Sequence, residues 1–272
     1  MSEAPFYLLT SLRHDVELES LFTGDSRHIG WNYNHKSPLY MLDFHRDRLL
    51  RAAEHWGWNE AVEKLSGDEA LHELARMAQD AAVDTTTKPQ RLRILVNSQG
   101  TLTFQKFDTP SQPLENLYPR LLTPPSLTAG PDEHPPPPCF DLVVDDSATP
   151  RSEFTHFKTT WRAVYDAARR RAGIRPGDLK EVLILNADER SVMEGSITTP
   201  YFWRRDRWVT PPVSPRFSLD KGSGGHDGTS RRWALDRGLA VEEAVLVDSL
   251  SDGEECWISN GVSGFQRAVL HK

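Results

Sequence analysis

Four places in the chain carry side chains whose types and neighbours could do chemistry: Arg48, Lys158, Glu194 and the pair Thr229-Ser230. Lys158 lies between Phe154 and Phe157 on one side and Trp161 on the other. A lysine held among apolar groups has its ammonium form disfavoured, which turns the amine into a nucleophile; the plainer alternative is a solvated lysine on a helix's first turn. Glu194 sits inside the apolar extended run VMEGSIT, where a carboxylate is costly unless a cation or an N–H meets it. An ion pair with a nearby arginine would satisfy it equally. The glycine-rich stretch KGSGGHDG leads into Thr229-Ser230 at a helix start. Glycines let backbone approach a ligand, and free N–H groups at a helix N-terminus attract phosphate. No Gly-Lys-Ser/Thr closes the stretch, so it is not a Walker A loop, and a surface loop is the alternative. Arg48, in DFHRDRL, offers a rigid donor fork suited to phosphate, or else a solvated helix charge.

Taken together the four describe one ligand. A phosphate would use Arg48, the Thr229-Ser230 backbone and Asn260; an aldehyde would use Lys158; a ring nitrogen that must stay protonated would use Glu194. Pyridoxal 5'-phosphate has all three parts, and its protonated ring is an electron sink.

Elements must bring these residues to their places. Phe6 to Leu12 reads as a strand, and Asp43 as the N-cap of a helix running to His55 and closed by Gly57. Ser66-Gly67-Asp68-Glu69 has a capping-box pattern ahead of Leu71, Leu74, Ala75, Ala78 and Ala82 at helical spacing. Arg91 to Val96 and Thr101 to Phe107 alternate around Asn97-Ser98-Gln99-Gly100 as a hairpin. Residues 108 to 138 are proline-rich and without periodicity, which suits a linker or surface loop between two domains. Cys139 to Val144 reads as a strand, and a helix is expected from Phe157-Lys158 to Ala172 with Trp161, Val164, Tyr165 and Ala168 as its apolar stripe. Glu181 to Pro212 reads as three short strands stopped by Pro211-Pro212, because proline gives no N–H to a ladder. A helix from Thr229-Ser230 ends at Gly238, and strands near Ala244 to Val247 and Cys256 to Ser259 finish the chain.

The totals narrow the class. The chain has 272 residues, a net charge of −7 and a pI of about 5.8, which suits one large domain or two modest ones and disfavours nucleic acid as a partner. The start lacks a basic and then apolar leader, and no stretch nears the length of a membrane helix, so no membrane partner is expected. Cys139 and Cys256 form no metal or redox spacing; they read as reduced core thiols of a cytoplasmic protein, and no metal site is expected.

The order of motifs resembles the fold-type IV pyridoxal-phosphate enzymes, which include branched-chain aminotransferases, D-amino-acid aminotransferases and 4-amino-4-deoxychorismate lyases. HRDRL, His45 to Leu49, is similar to the family's H-x-x-R-L; FKTTWR places Lys158 on its Schiff-base lysine; MEGSITTPYFW is similar to E-G-S-x-x-N-x-F, with Glu194 on the pyridine-binding glutamate. WVTPP, GTSRR and ISNGVSG follow in the family's order, so the likeness covers about residues 40 to 272. Thr199 stands where the family often has asparagine, and GGHDGTSRR replaces L-P-G-I-T-R. The resemblance implies an α+β fold like that of D-amino-acid aminotransferase: a small N-terminal α/β sandwich over 1–115, a proline-rich interdomain segment over 116–138, and a larger β-barrel-like cofactor domain with flanking helices over 139–272. It implies Arg48, Thr229, Ser230 and Asn260 as phosphate ligands, Arg13 and Arg162 as grips for substrate carboxylates, a small-molecule amine substrate and a homodimer. The short chain, Arg162 four past the lysine, and SNG rather than G-T-A look closest to the lyase branch and its fungal members. The implied reaction is 4-amino-4-deoxychorismate to 4-aminobenzoate and pyruvate, a step toward folate. The alternative is a transaminase for D-amino acids or (R)-amines with a 2-oxo acid acceptor; a non-catalytic relative would be expected to lack the lysine, which is present.

Overall fold

The computed structural model describes residues 5–24, 30–82, 88–125 and 139–272. The chain divides into two compact units that are discontinuous in sequence. The first holds Met1–Leu114, Phe157–Trp161 and Gly261–Ser263; the second holds Glu115–His156, Arg162–Asn260 and Gly264–Lys272.

In the first unit, β1 (Leu8–His14), β2 (Gln90–Val96) and β3 (Leu102–Asp108) form an antiparallel sheet in that order. Between β1 and β2 run α1 (Trp31–Asn34), α2 (Leu42–His55), α3 (Asn59–Leu65) and α4 (Gly67–Ala82). Leu92, Ile94 and Val96 alternate inward on β2, as a half-buried strand requires. Helix α4 buries Leu71, Leu74, Ala78 and Ala82, the single stripe its spacing predicts, and packs on β2 and β3, while α2 packs on β1. The start of α2 differs from expectation. Its N-cap is Met41, with φ 52°, and Asp43 stands inside the first turn, where its carboxylate accepts from Phe44 N at 2.9 Å and still favours the positive end of the helix. Ser66 donates to Val62 O at 2.7 Å and so serves the end of α3, ahead of α4.

After α5 (Leu114–Leu117), the second unit contains β4 (Cys139–Thr149), α6 (Glu153–His156), α7 (Ala163–Arg171), β5 (Lys180–Asn186), β6 (Val192–Gly195), β7 (Thr199–Arg204), β8 (Arg207–Thr210), α8 (Thr229–Asp236), β9 (Val241–Glu242), β10 (Glu255–Asn260) and β11 (Gly264–His271). Its sheet is a curled half-barrel of eight strands in the order β6-β5-β4-β11-β10-β7-β8-β9. β4 lies parallel to both β5 and β11, and a strand covered on both faces is apolar on both. β5 shows why: Leu183 and Leu185 enter a core with Val192, Phe202, Val209 and Ile258, whereas Val182 and Ile184 face Tyr165 and Ala168 of α7. The hairpin of β7 and β8 turns at Arg205 and Asp206, both at positive φ.

Three expectations need correction. The helix expected from Lys158 begins only at Ala163. No strand forms over Ala244 to Val247; Val245 O accepts from Val192 N and Leu246 makes a single bridge with Ser191 before a tight turn at Val247–Ser249. β11 was not expected, and it is the strand that joins the two halves of the sheet. In the proline-rich segment, Leu117 and Leu122 are buried and Trp208 Nε1 donates to Leu122 O at 2.9 Å; residues 126–138 lie outside the described residues. Both cysteines are free thiols, and burial raises the pKa of each.

β11 starts at Gly264, with φ +64°, where an added Cβ would lie 2.3 Å from Asn116 O and 2.8 Å from Leu117 Cα. Gly264→Ala is therefore expected to destabilise the protein by about 2 kcal/mol or more through strain and backbone collision. Urea unfolding checks this, and an unchanged midpoint would contradict it.

Candidate active site

Lys158 is not on a helix. It lies on an extended segment annealed to β1: Lys158 O accepts from Leu9 N at 2.9 Å, Thr160 N donates to Tyr7 O at 2.9 Å, and Leu8 bridges Thr159. Extended backbone alternates its side chains, so buried Phe157 and Thr159 flank a half-buried Lys158. In the same unit, Arg48 donates through Nη2 to Thr10 Oγ1 and stands 3.5 Å from His45 Nδ1, and Thr10 Oγ1 is 2.7 Å from that nitrogen. Arginine only donates, so the Thr10 oxygen accepts from it, and the same oxygen shares a hydrogen bond with His45 Nδ1. His45 is fully buried; burial first, and then the charges of Arg48 and Lys158, hold its pKa well below 6.5. Two cations thus share a neighbourhood with an imidazole that stays neutral, an arrangement that attracts an anion.

The second unit carries the carboxylate. Glu194 on β6 is 7 % exposed. Tyr165 OH donates to its Oε1 at 2.6 Å, and His226 Nδ1 stands 2.6 Å from its Oε2. Burial first, then the charge and hydrogen bond of Glu194, push the Tyr165 phenol well above 10, so it remains a donor. The rings of Tyr165 and His226 stack at 5.6 Å. The sequence points to the glutamate but not to its partners: Tyr165 reads as part of an apolar stripe, and His226 lies in a glycine-rich stretch that reads as a phosphate site or a surface loop.

A further carboxylate, Glu181 on β5, is 1 % exposed and braces the turn that follows Glu194. Its oxygens accept from Ser196 N and Ile197 N at 3.1 Å, from Thr198 Oγ1 at 2.9 Å and from the Ser196 hydroxyl at 2.5 Å. One face of α7 meets the same turn. Arg162, at its N-cap, donates to Ser196 O at 2.7 Å and lies over the Tyr165 ring, and Arg169 donates to Ser196 Oγ at 2.9 Å. Residues 162, 165 and 169 fall on one helical face by their spacing, a signal present in the sequence.

Thr229 and Ser230 are buried at the start of α8, as expected for the helix, and Ser230 Oγ is 2.8 Å from Ser259 Oγ, which is 2.9 Å from Tyr201 OH. Asn260 is the last residue of β10. Arg13, expected to grip a substrate carboxylate, is fully buried on β1, 2.7 Å from Asp15 Oδ2, and donates to Pro110 O at 2.9 Å. Arg48 and Lys158 belong to the first unit; Arg162, Glu194, Thr229, Ser230 and Asn260 belong to the second. Among the described residues, no helix is long and apolar enough to cross a membrane, and no group of three or more His, Cys, Asp or Glu is placed to hold a metal ion.

Comparison with known proteins matches residues 30–269 to the family described as amino-transferase class IV. The aminodeoxychorismate lyase of Saccharomyces cerevisiae is 32% identical over 141 residues, which is 46% of this chain and only 35% of the yeast protein. The chain therefore matches about a third of the length of that relative. Among solved structures, a candidate amino-acid aminotransferase from Mesorhizobium loti superposes with a TM-score of 0.64 at 20% identity, covering 97% of this chain and 99% of that one. A candidate 4-amino-4-deoxychorismate lyase from Legionella pneumophila gives 0.63 at 14% identity, with 98% and 83% covered. A hypothetical aminotransferase from Mycobacterium tuberculosis in its PLP-bound form gives 0.58 at 17%, with 97% and 80% covered. At these identities the likeness is one of fold.

The depressed pKa of His45 has a consequence for stability. Above pH 6.5 the ring is neutral in folded and unfolded chains alike; below it the unfolded chain binds a proton that the folded site refuses. Stability is therefore lost as pH falls from 6.5 toward the folded pKa, by up to about 1.4 kcal/mol per pH unit from this one group. Urea unfolding of His45→Gln should show a flatter fall between about pH 6.5 and 5 than the wild type; equal slopes would contradict the assignment.

Proposed function

Because the chain belongs to the class IV amino-transferase family, we propose that it is a pyridoxal 5'-phosphate enzyme and that it converts 4-amino-4-deoxychorismate to 4-aminobenzoate and pyruvate. The single observation that carries the cofactor is Glu194, a buried carboxylate with a donor on each oxygen and apolar strands around it. The donor set fits the group's parts. Lys158 supplies the amine for the aldehyde, Glu194 the acceptor for the ring N–H, and Arg48 with the buried start of α8 the donors for a phosphate. The 32% identity to the yeast lyase supports the choice of reaction.

When bound, the cofactor supplies a protonated ring that withdraws electrons from the substrate's amine-bearing carbon. The chain's own residues do the rest. Tyr165 and His226 hold Glu194 in one orientation, and Glu194 in turn keeps a proton on the ring nitrogen. Glu181 fixes the turn behind it. Thr10 holds the Arg48 fork. Lys158 Nζ takes the proton from the amine-bearing carbon. The enolpyruvyl C–O bond then breaks, its oxygen leaves with the bonding pair as the enolate of pyruvate, which gains a proton, and the ring left behind is aromatic. Arg162, anchored on Ser196 O, is proposed to hold a substrate carboxylate.

The test is product formation from 4-amino-4-deoxychorismate with no 2-oxo acid present. The expected result is 4-aminobenzoate and pyruvate in equal amounts from the wild type, and loss of at least about a thousandfold in turnover for Lys158→Ala. Amino transfer to pyruvate or 2-oxoglutarate without elimination would replace the lyase with a transaminase. Full activity of Lys158→Ala would refute the site.

A further inference from the structure

We propose that the glycine-rich loop ahead of α8 is built to deliver His226 to Glu194, and that His226 is a positioning residue for the ring-nitrogen acceptor; this rests on the cofactor reading above. The loop is pressed onto β6 and held there. Arg151, buried, donates from Nε and Nη2 to Gly222 O at 3.1 and 2.9 Å. Ser223 N donates to Pro212 O at 2.7 Å, and Asn186 Nδ2 to Ser223 O at 2.9 Å. A Cβ on Gly224 would stand 2.7 Å from both Met193 Cε and Arg151 Cγ, and one on Gly225 would stand 2.7 Å from Met193 O and 3.3 Å from Glu194 Cβ. The glycines are thus required by packing against the two residues Met193 and Glu194. The amides of Ser223 and Gly225 are used inside the structure, on Pro212 O and the Ser223 hydroxyl. The phosphate role expected for a glycine-rich stretch does not account for these contacts.

What the packing achieves is the 2.6 Å approach of His226 Nδ1 to Glu194 Oε2, at a site where both side chains are about nine-tenths buried. An ionised carboxylate only accepts, so Nδ1 carries the proton and donates it. With Tyr165 on Oε1, the two oxygens are fixed in place, and a carboxylate oxygen can accept more than one hydrogen bond, a ring N–H among them. Donation from both sides keeps the carboxylate aimed as an acceptor, the role a protonated ring nitrogen needs.

The experiment titrates cofactor-free full-length protein with pyridoxal 5'-phosphate by absorbance, then traps the bound cofactor with borohydride and locates it by peptide mass. His226→Asn keeps an N–H donor near the Nδ1 position, His226→Leu keeps bulk without a donor, and Gly225→Ala forces the loop off β6. Wild type should saturate with the label on Lys158, and H226N should bind within about threefold of it. H226L and G225A should bind at least about tenfold more weakly, the cost of one charge-assisted hydrogen bond, with the label still on Lys158. Wild-type affinity in H226L would overturn the proposal, and so would equal weakening in H226N and H226L, since shape and not donation would then be at stake. A wild type that takes up no cofactor would instead defeat the cofactor reading itself.

Discussion

A carboxylate inside a β-sheet core has to be met on every side or it will take a proton and lose its charge. Glu194 meets that condition through two donors from different parts of the chain, Tyr165 on α7 and His226 at the end of the glycine loop. Much of the surrounding structure follows from supplying them. Helix α7 covers the Val182 and Ile184 face of β5, which brings Tyr165 into the core, and its arginines at 162 and 169 grip the turn after β6. Glu181 closes that turn from the other side. The result is two buried acids with different duties, one satisfied mainly by the turn it braces and one aimed at a ligand.

The first unit solves a complementary problem. Arg48 and Lys158 both act on His45 with positive charge, and a protonated histidine beside them would add a third. Full burial and the two neighbours keep His45 neutral, and its Nδ1 is hydrogen-bonded to the Thr10 hydroxyl that also receives Arg48. The extended pairing of the Lys158 segment with β1 fixes the lysine's backbone on a sheet, which is stiffer support than the frayed first turn of a helix.

Which parts of this were legible in the sequence depends on the range of the cause. Local causes were readable: the alternation in Leu92, Ile94 and Val96, the apolar run of β5, and the start of α8 at Thr229 all reflect neighbours in sequence. Glu194 was legible because a charge in an apolar run is conspicuous. Causes that act across the chain were not. Lys158 looks like a helix start because its extended form comes from pairing with Leu9, and nothing within ten residues shows that. Ala244 to Val247 is apolar enough for a strand, yet its pairing with Arg190 to Val192 stops at a single bridge between Ser191 and Leu246. His226 hid in a loop whose glycines suggested phosphate, when their actual constraint was contact with Met193 and Glu194. The burial of Arg13 beside Asp15 was equally invisible, because it comes from packing between distant segments.

Lys158 and Glu194 are proposed to hold opposite ends of one cofactor. A crystal structure of the protein with pyridoxal 5'-phosphate tests this most directly. The predicted result is electron density continuous from Lys158 Nζ to the cofactor's aldehyde carbon, with the ring nitrogen within about 3 Å of a Glu194 oxygen and His226 still on the other. A cofactor seated on the lysine whose ring nitrogen faces solvent or some other residue would contradict it.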